Sequence, residues 1–232
     1  ASQFRLPTVG GGYDATVDWG DGSGTTLLSG TPGNVTHTYP APGVYEIVIT
    51  ANTPGGFPRI RFDANDTLNS GSSGYDHNKV ISIEQWGTNQ WTSMVKAFKN
   101  CRNLVINATD VPNLSNVTDM SAMFQGAIVM NTDISTWDVS NVTRMSKLFE
   151  RATAFNQPLN SWNVSNVTDF STMFLNAPAF NQDLSSWSVS NVTNMSQMFY
   201  AATSFNQDLS SWNVSNVTDM SQMFGSATSF NQ

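Results

Sequence analysis

Hydrophobic positions fall into fixed columns through the last two thirds of the chain. Val117, Val142, Val167, Val192 and Val217 stand 25 residues apart, and so do Phe124, Phe149, Phe174, Phe199 and Phe224. Ala127 to Ala227 form a third column at the same step, and Trp137 to Trp212 a fourth. Met130, Phe155, Phe180, Phe205 and Phe230 make a fifth, and Ile134, Leu159, Leu184 and Leu209 a sixth. Apolar columns at a constant period predict stacked equivalent units, each burying its columns against those of the next. Within one unit two local patterns alternate. In "LSSWNVSN" the Trp212-x-Val214 alternation predicts a short strand with both side chains on one face. In "NVTDMSQMF" the positions Val217, Met220, Met223 and Phe224 predict a short helix or 3₁₀ turn. Asn216 or Thr218 would cap that turn, with Asp219 in its first turn.

The expected fold is therefore a β-rich α/β solenoid, leucine-rich-repeat-like, with one short strand plus one short helical turn per 25 residues. The array is placed at 81–232. Its first copies are looser: Ile83, Trp86, Met94 and Phe98 hold the matching offsets, Cys101 falls on the alanine column, and Pro112 replaces a tryptophan. The array stops in mid-repeat at "SATSFNQ" and is read as C-terminally truncated. Residues 1–62 have no such period. Val17 and Trp19 alternate with Thr16 and Asp18, and Tyr45, Ile47 and Ile49 with Glu46, Val48 and Thr50. "FPRIRFDAN" reads as a further strand, and Gly and Pro punctuate the whole, which predicts an N-terminal β-sandwich capping the first coil. The Ser/Gly-rich stretch 63–80 reads as a connecting loop.

Two stretches resemble known families. The frame "FNQDLSSWNVSNVTDMSQMF", closest from Phe155 to Phe230, resembles the 25/26-residue bacterial surface-protein repeat of the BspA-like leucine-rich-repeat group. "VDWGDGSG…VTHTYPAPGVYEIVIT", with Trp19, Gly20, Asp21, Gly22, His37, Tyr39, Gly43 and Tyr45 as the matching residues, resembles the PKD-type immunoglobulin-like domain. The resemblance implies an extracellular or cell-surface protein, with adhesion to a protein or glycan ligand on a host, matrix or neighbouring cell. It brings no catalytic residues.

Composition narrows the function classes. A net charge of −7 with only 10 Lys plus Arg argues against nucleic acid and against anionic membranes. No run of eighteen apolar residues suits a membrane span, so no membrane insertion is expected. One cysteine excludes an internal disulfide, and on the alanine column Cys101 should be an inert buried thiol. No enzyme is expected, and no cofactor. His37 sits in an alternating strand and should hydrogen-bond structurally. His77, near Asp63, Asp66 and Asp76, is a weak metal signal, and Asp14, Asp18 and Asp21 a weak calcium one. The Asn-x-Ser/Thr column Asn116, Asn141, Asn166, Asn191 and Asn216 fits stacked amides better than crowded glycans, as does the Asn156, Asn181, Asn206 and Asn231 column.

If Trp212 and Val214 point inward, their neighbours point out. The candidate binding face is then Thr136, Asp138 and Ser140, with Ser161, Asn163 and Ser165, Ser186, Ser188 and Ser190, and Ser211, Asn213 and Ser215. The expected function is a non-catalytic binding or adhesion module. The alternatives are a structural spacer in a larger surface protein, or an ice- or crystal-surface binder using the column Thr143, Thr168, Thr193 and Thr218.

Overall fold

The computed structural model describes residues 2–62 and 76–232. The N-terminal part carries two small antiparallel sheets. Strand β1 (Ser2–Leu6) pairs with β4 (Val35–Tyr39), Ser2 opposite Tyr39. Strand β2 (Tyr13–Asp18) lies between β3 (Thr25–Gly30) and β5 (Val48–Ala51). The period-2 pattern decides which face is inside. Tyr13, Ala15 and Val17 are buried, while Asp14 and Thr16 are half-buried and Asp18 exposed. The following turn is made possible by Gly20. It sits at φ 75°, and a Cβ there would lie 2.2 Å from the Glu46 carbonyl oxygen.

Two strand expectations here need correction. The alternation from Tyr45 to Ile47 persists in burial, but the strand begins only at Val48. Residues 57–62 form no strand at all; they are a buried strap against the first repeat. Phe57 meets Trp91 edge-on at 5.7 Å, Phe62 stacks on Phe98 at 6.4 Å, and the Thr92 N–H donates to the Pro58 carbonyl at 2.9 Å. Most of the connecting stretch lies outside the described residues, but Asp76–Lys79 is a 3₁₀ turn.

The α/β solenoid of strand-plus-helix units is overturned. Among the described residues the repeats contain no helix, and no strand beyond the short parallel pair β6 (Ser82–Ile83) and β7 (Val105–Ile106). The Trp-x-Val step, expected as the strand, forms none: the Trp N–H and the Val carbonyl are bonded within the flanking turns. Single parallel bridges join the later copies along Asp119, Arg144, Asp169, Asn194 and Asp219, a column expected in the helical turn.

Backbone hydrogen bonds explain the difference. From Met145 to Ala152 the N–H groups alternate in direction. Those of Met145, Lys147, Phe149 and Arg151 donate to carbonyls of the next copy at 2.8–3.0 Å. Those of Leu148, Glu150 and Ala152 reach back three residues within their own copy. A helix would send every N–H back along its own chain. Lys147 and Arg151 also sit at φ 62° and 60°, in the left-handed region that no α-helix continues through. Each copy is thus a flat rung of linked turns. The expected apolar spacing is real, but tight turns present inward positions at the same steps as one helical face.

Ring columns fill the space between rungs. Phe98, Phe124, Phe149, Phe174, Phe199 and Phe224 stack successively with centroids 5.6–6.1 Å apart. Phe155, Phe180, Phe205 and Phe230 form a second column at 6.0–6.2 Å. Within a rung the two columns touch at about 3.9 Å, as Phe174 and Phe180 do. One contiguous apolar cluster runs from the N-terminal sheets through the rungs.

Candidate functional site

The twelve face residues lie in three columns, not on a strand. Thr136, Ser161, Ser186 and Ser211 are exposed, and so are Asp138, Asn163, Ser188 and Asn213. Ser140, Ser165 and Ser190 are half-buried and only Ser215 is exposed, so the third column is a shoulder of the face. Trp137, Trp162, Trp187 and Trp212 are buried beneath them. Three of their indole N–H groups are satisfied one rung back: Trp162, Trp187 and Trp212 donate to the carbonyls of Ile134, Leu159 and Leu184 at 2.8–3.1 Å.

Six of the eight exposed residues are clamped by their own bonds. The Ser161 hydroxyl donates to the Ser135 carbonyl at 2.7 Å and that of Ser211 to Ser185 at 2.8 Å, while Ser186 bonds to Asn160 of the rung before. Asp138, Asn163 and Asn213 each accept the N–H two residues on, from Ser140, Ser165 and Ser215. These Asx turns bend the chain where the next copy must begin its corner. The hydroxyl and N–H of Ser140 hold the Asp138 carboxyl below its usual pKa range.

Two further columns flank the face. Asn141, Asn166, Asn191 and Asn216 are exposed, and each Nδ2 donates to the serine carbonyl of the preceding rung at 2.6–3.0 Å. Thr143, Thr168, Thr193 and Thr218 each send both N–H and hydroxyl to the preceding threonine carbonyl. On another corner, Asn156, Asn181, Asn206 and Asn231 donate their N–H to the Oδ1 of the asparagine one rung back, each at 2.9 Å. The side-chain amides therefore saturate backbone groups that turning corners leave open. The glutamine after each was not singled out from the sequence. Gln182 and Gln207 add a second bond to the same acceptor, and the shared period was the signal that could have found them.

The candidate chemistry elsewhere is dispersed. His37 Nε2–H donates to one Asp21 oxygen at 2.8 Å, while the Ser23 hydroxyl and N–H donate to the other. Ser23 and the imidazole thus meet opposite edges of one carboxylate, so His37 is not placed to take the Ser23 proton. The ring stacks on Trp19 at 4.8 Å and meets the edge of Tyr39 at 4.6 Å. The Ser23 hydroxyl first, and His37 second, lower the Asp21 pKa to about 2. Asp14 is held by Asn52 and Thr53, and Asp18 by the Gly20 N–H, so the three aspartates do not converge. His77 is buried, and burial lowers its pKa. Its sequence neighbours Asp63 and Asp66 lie outside the described residues, and among the described residues no group of three ligand-type side chains could hold a metal. Cys101 is fully buried, and burial pushes its thiol far above the usual range.

A family model described as "Mycoplasma protein of unknown function, DUF285" matches residues 92–193 and again 160–232, more than half of the 232 residues. The chain belongs to the DUF285 family. Both matches fall on the rungs, and they overlap, as a repeat frame allows. The DUF285 portion carries every residue of the candidate face. No curated protein and no solved structure matches the chain. Among the described residues no helix is long and apolar enough to cross a membrane.

Proposed function

We propose that this protein is a non-catalytic binding module that presents a flat, polar, repeated face to a protein or glycan ligand at a cell surface. The observation that carries the proposal is the pair of exposed columns from Thr136 to Ser211 and from Asp138 to Asn213, in which Ser161, Ser186, Ser211, Asp138, Asn163 and Asn213 are held by hydrogen bonds. Side chains already fixed by hydrogen bonds lose little further freedom when a ligand docks. The same groups recur at one-rung spacing, so a ligand with its own repeat could meet several at once. The surface setting is supported by the resemblance of the repeat frame to the BspA-like group and of residues 1–62 to PKD-type domains. The test is binding of the whole chain to arrayed glycans and matrix proteins, followed by the triple variant Thr136→Arg, Ser161→Arg, Ser186→Arg. We expect capture that falls at least tenfold in the variant. No capture at micromolar concentration, or capture that the arginines leave unchanged, would sink the binding reading.

One observation favours the spacer as a second reading. Beyond residue 140 the hydrogen bonds reach no further than 28 positions along the chain, so the array is held only by neighbours and its length scales with rung number. The lattice-binder reading gains less. It draws on one threonine column, whose hydroxyl protons are all donated to carbonyls.

A further inference from the structure

We infer that the rung array is an extensible tether: loaded end to end, it releases chain one 25-residue rung at a time. Three observations carry this, and none depends on what the polar face binds. The first is the locality of the contacts. From residue 140 onward, bonds and ring stacks join a rung to its immediate neighbours. Peeling one rung therefore leaves the next with its remaining interface whole.

The second is the orientation of the bonds. The N–H groups of Met195, Gln197, Phe199 and Ala201 donate to carbonyls of the last rung, along the stack. A chain leaving that rung under tension loads them in sequence, as a zipper, and not all together in shear. The third is the absence of a covalent stop. Cys101 is free and buried. The rung left behind is also the template on which a released one can reform, so extension should reverse on relaxation.

The experiment is single-molecule force spectroscopy on the full chain, held at both ends. An extended rung spans at most about 3.3–3.6 Å per residue, and it gives up roughly 5 Å of stack height. We expect repeated contour-length increments of roughly 80 Å. In the variant Thr168→Cys, Thr193→Cys the two thiols stand one rung apart, where Thr193 N–H already donates to the Thr168 carbonyl at 2.9 Å. Oxidation should remove one increment and reductant should restore it. Release of the whole array in one event would overturn the inference. So would the same increments with the disulfide formed and reduced. Loss of ligand capture in the preceding experiment, with increments intact, would count only against the binding reading.

Discussion

At the residue scale the rungs are defined by two positions that L-amino acids seldom occupy. One left-handed column runs Lys96, Ala122, Lys147, Thr172, Gln197, Gln222, and the other Asn100, Gly126, Arg151, Asn176, Ala201, Ser226. Nothing in the residue types announces this, because only one of the twelve is a glycine and only two are asparagines. The backbone is held there by the next rung, and the cost is absorbed by the bonds that the turn makes possible. Thr172 is the poorest occupant. It is β-branched at φ 54°, and its hydroxyl is buried without a hydrogen-bond partner. In the next two rungs the position is glutamine, with Gln197 Nε2 donating to Gln222 Oε1 at 2.9 Å. Thr172→Gln should therefore stabilise the fold by about 1 kcal/mol, read as a raised Tm; a lowered Tm would refute this account of the column. Asp21 supports a prediction of opposite kind. Its folded pKa of about 2 lies below its ordinary value of 3.8, so it stabilises the fold above pH 4 and the contribution is lost as pH falls through about 2. Asp21→Asn should flatten that acid limb of a pH-stability profile while leaving the neutral-pH melt cooperative.

At the element scale the rung replaces both the strand and the helix that its sequence suggests. The columns were legible: the period, the inward positions and the amide ladders all follow from side-chain identity repeated at one step. The local conformation was not. Spacings of three and one residues satisfy a helical stripe and a series of turns equally, and the choice is made by whether an N–H finds its carbonyl in its own turn or in the next rung. The candidate face was legible to the same extent. Exposure of Thr136 and Asp138 follows from alternation with Trp137, but the demotion of Ser140 to a shoulder depends on the turn at 140–141. The element's stability rests on its ring columns. Phe174 is fully buried and stacked against Phe149, Phe180 and Phe199. Phe174→Ala should cost about 3–5 kcal/mol, measurable by denaturant unfolding. The same truncation at Phe230, which is only partly buried at the last rung, should cost less. Equal losses at the two sites would contradict the stack.

At the scale of the whole molecule, equivalence between rungs predicts tolerance to removal of a complete one. Deleting 168–192 joins Val167 to Thr193, keeps the Thr, Phe and Trp columns in register, and should leave a cooperatively folded protein. Deleting 168–187, five residues fewer, shifts every column and should leave the chain unfolded or aggregated. Circular dichroism and a thermal melt distinguish the two, and similar behaviour of both would refute the register argument. The sequence by itself determined the period, the membership of the core and the partners of the polar columns. Identical side chains repeated at one step have a common low-energy solution, in which like lies on like. The tertiary structure decided that the repeat is built of turns, that the 57–62 strap seals the first rung, and that bonds run along the stack. Those features depend on which carbonyl each N–H reaches, and in this chain that carbonyl often belongs to a rung some 25 residues away.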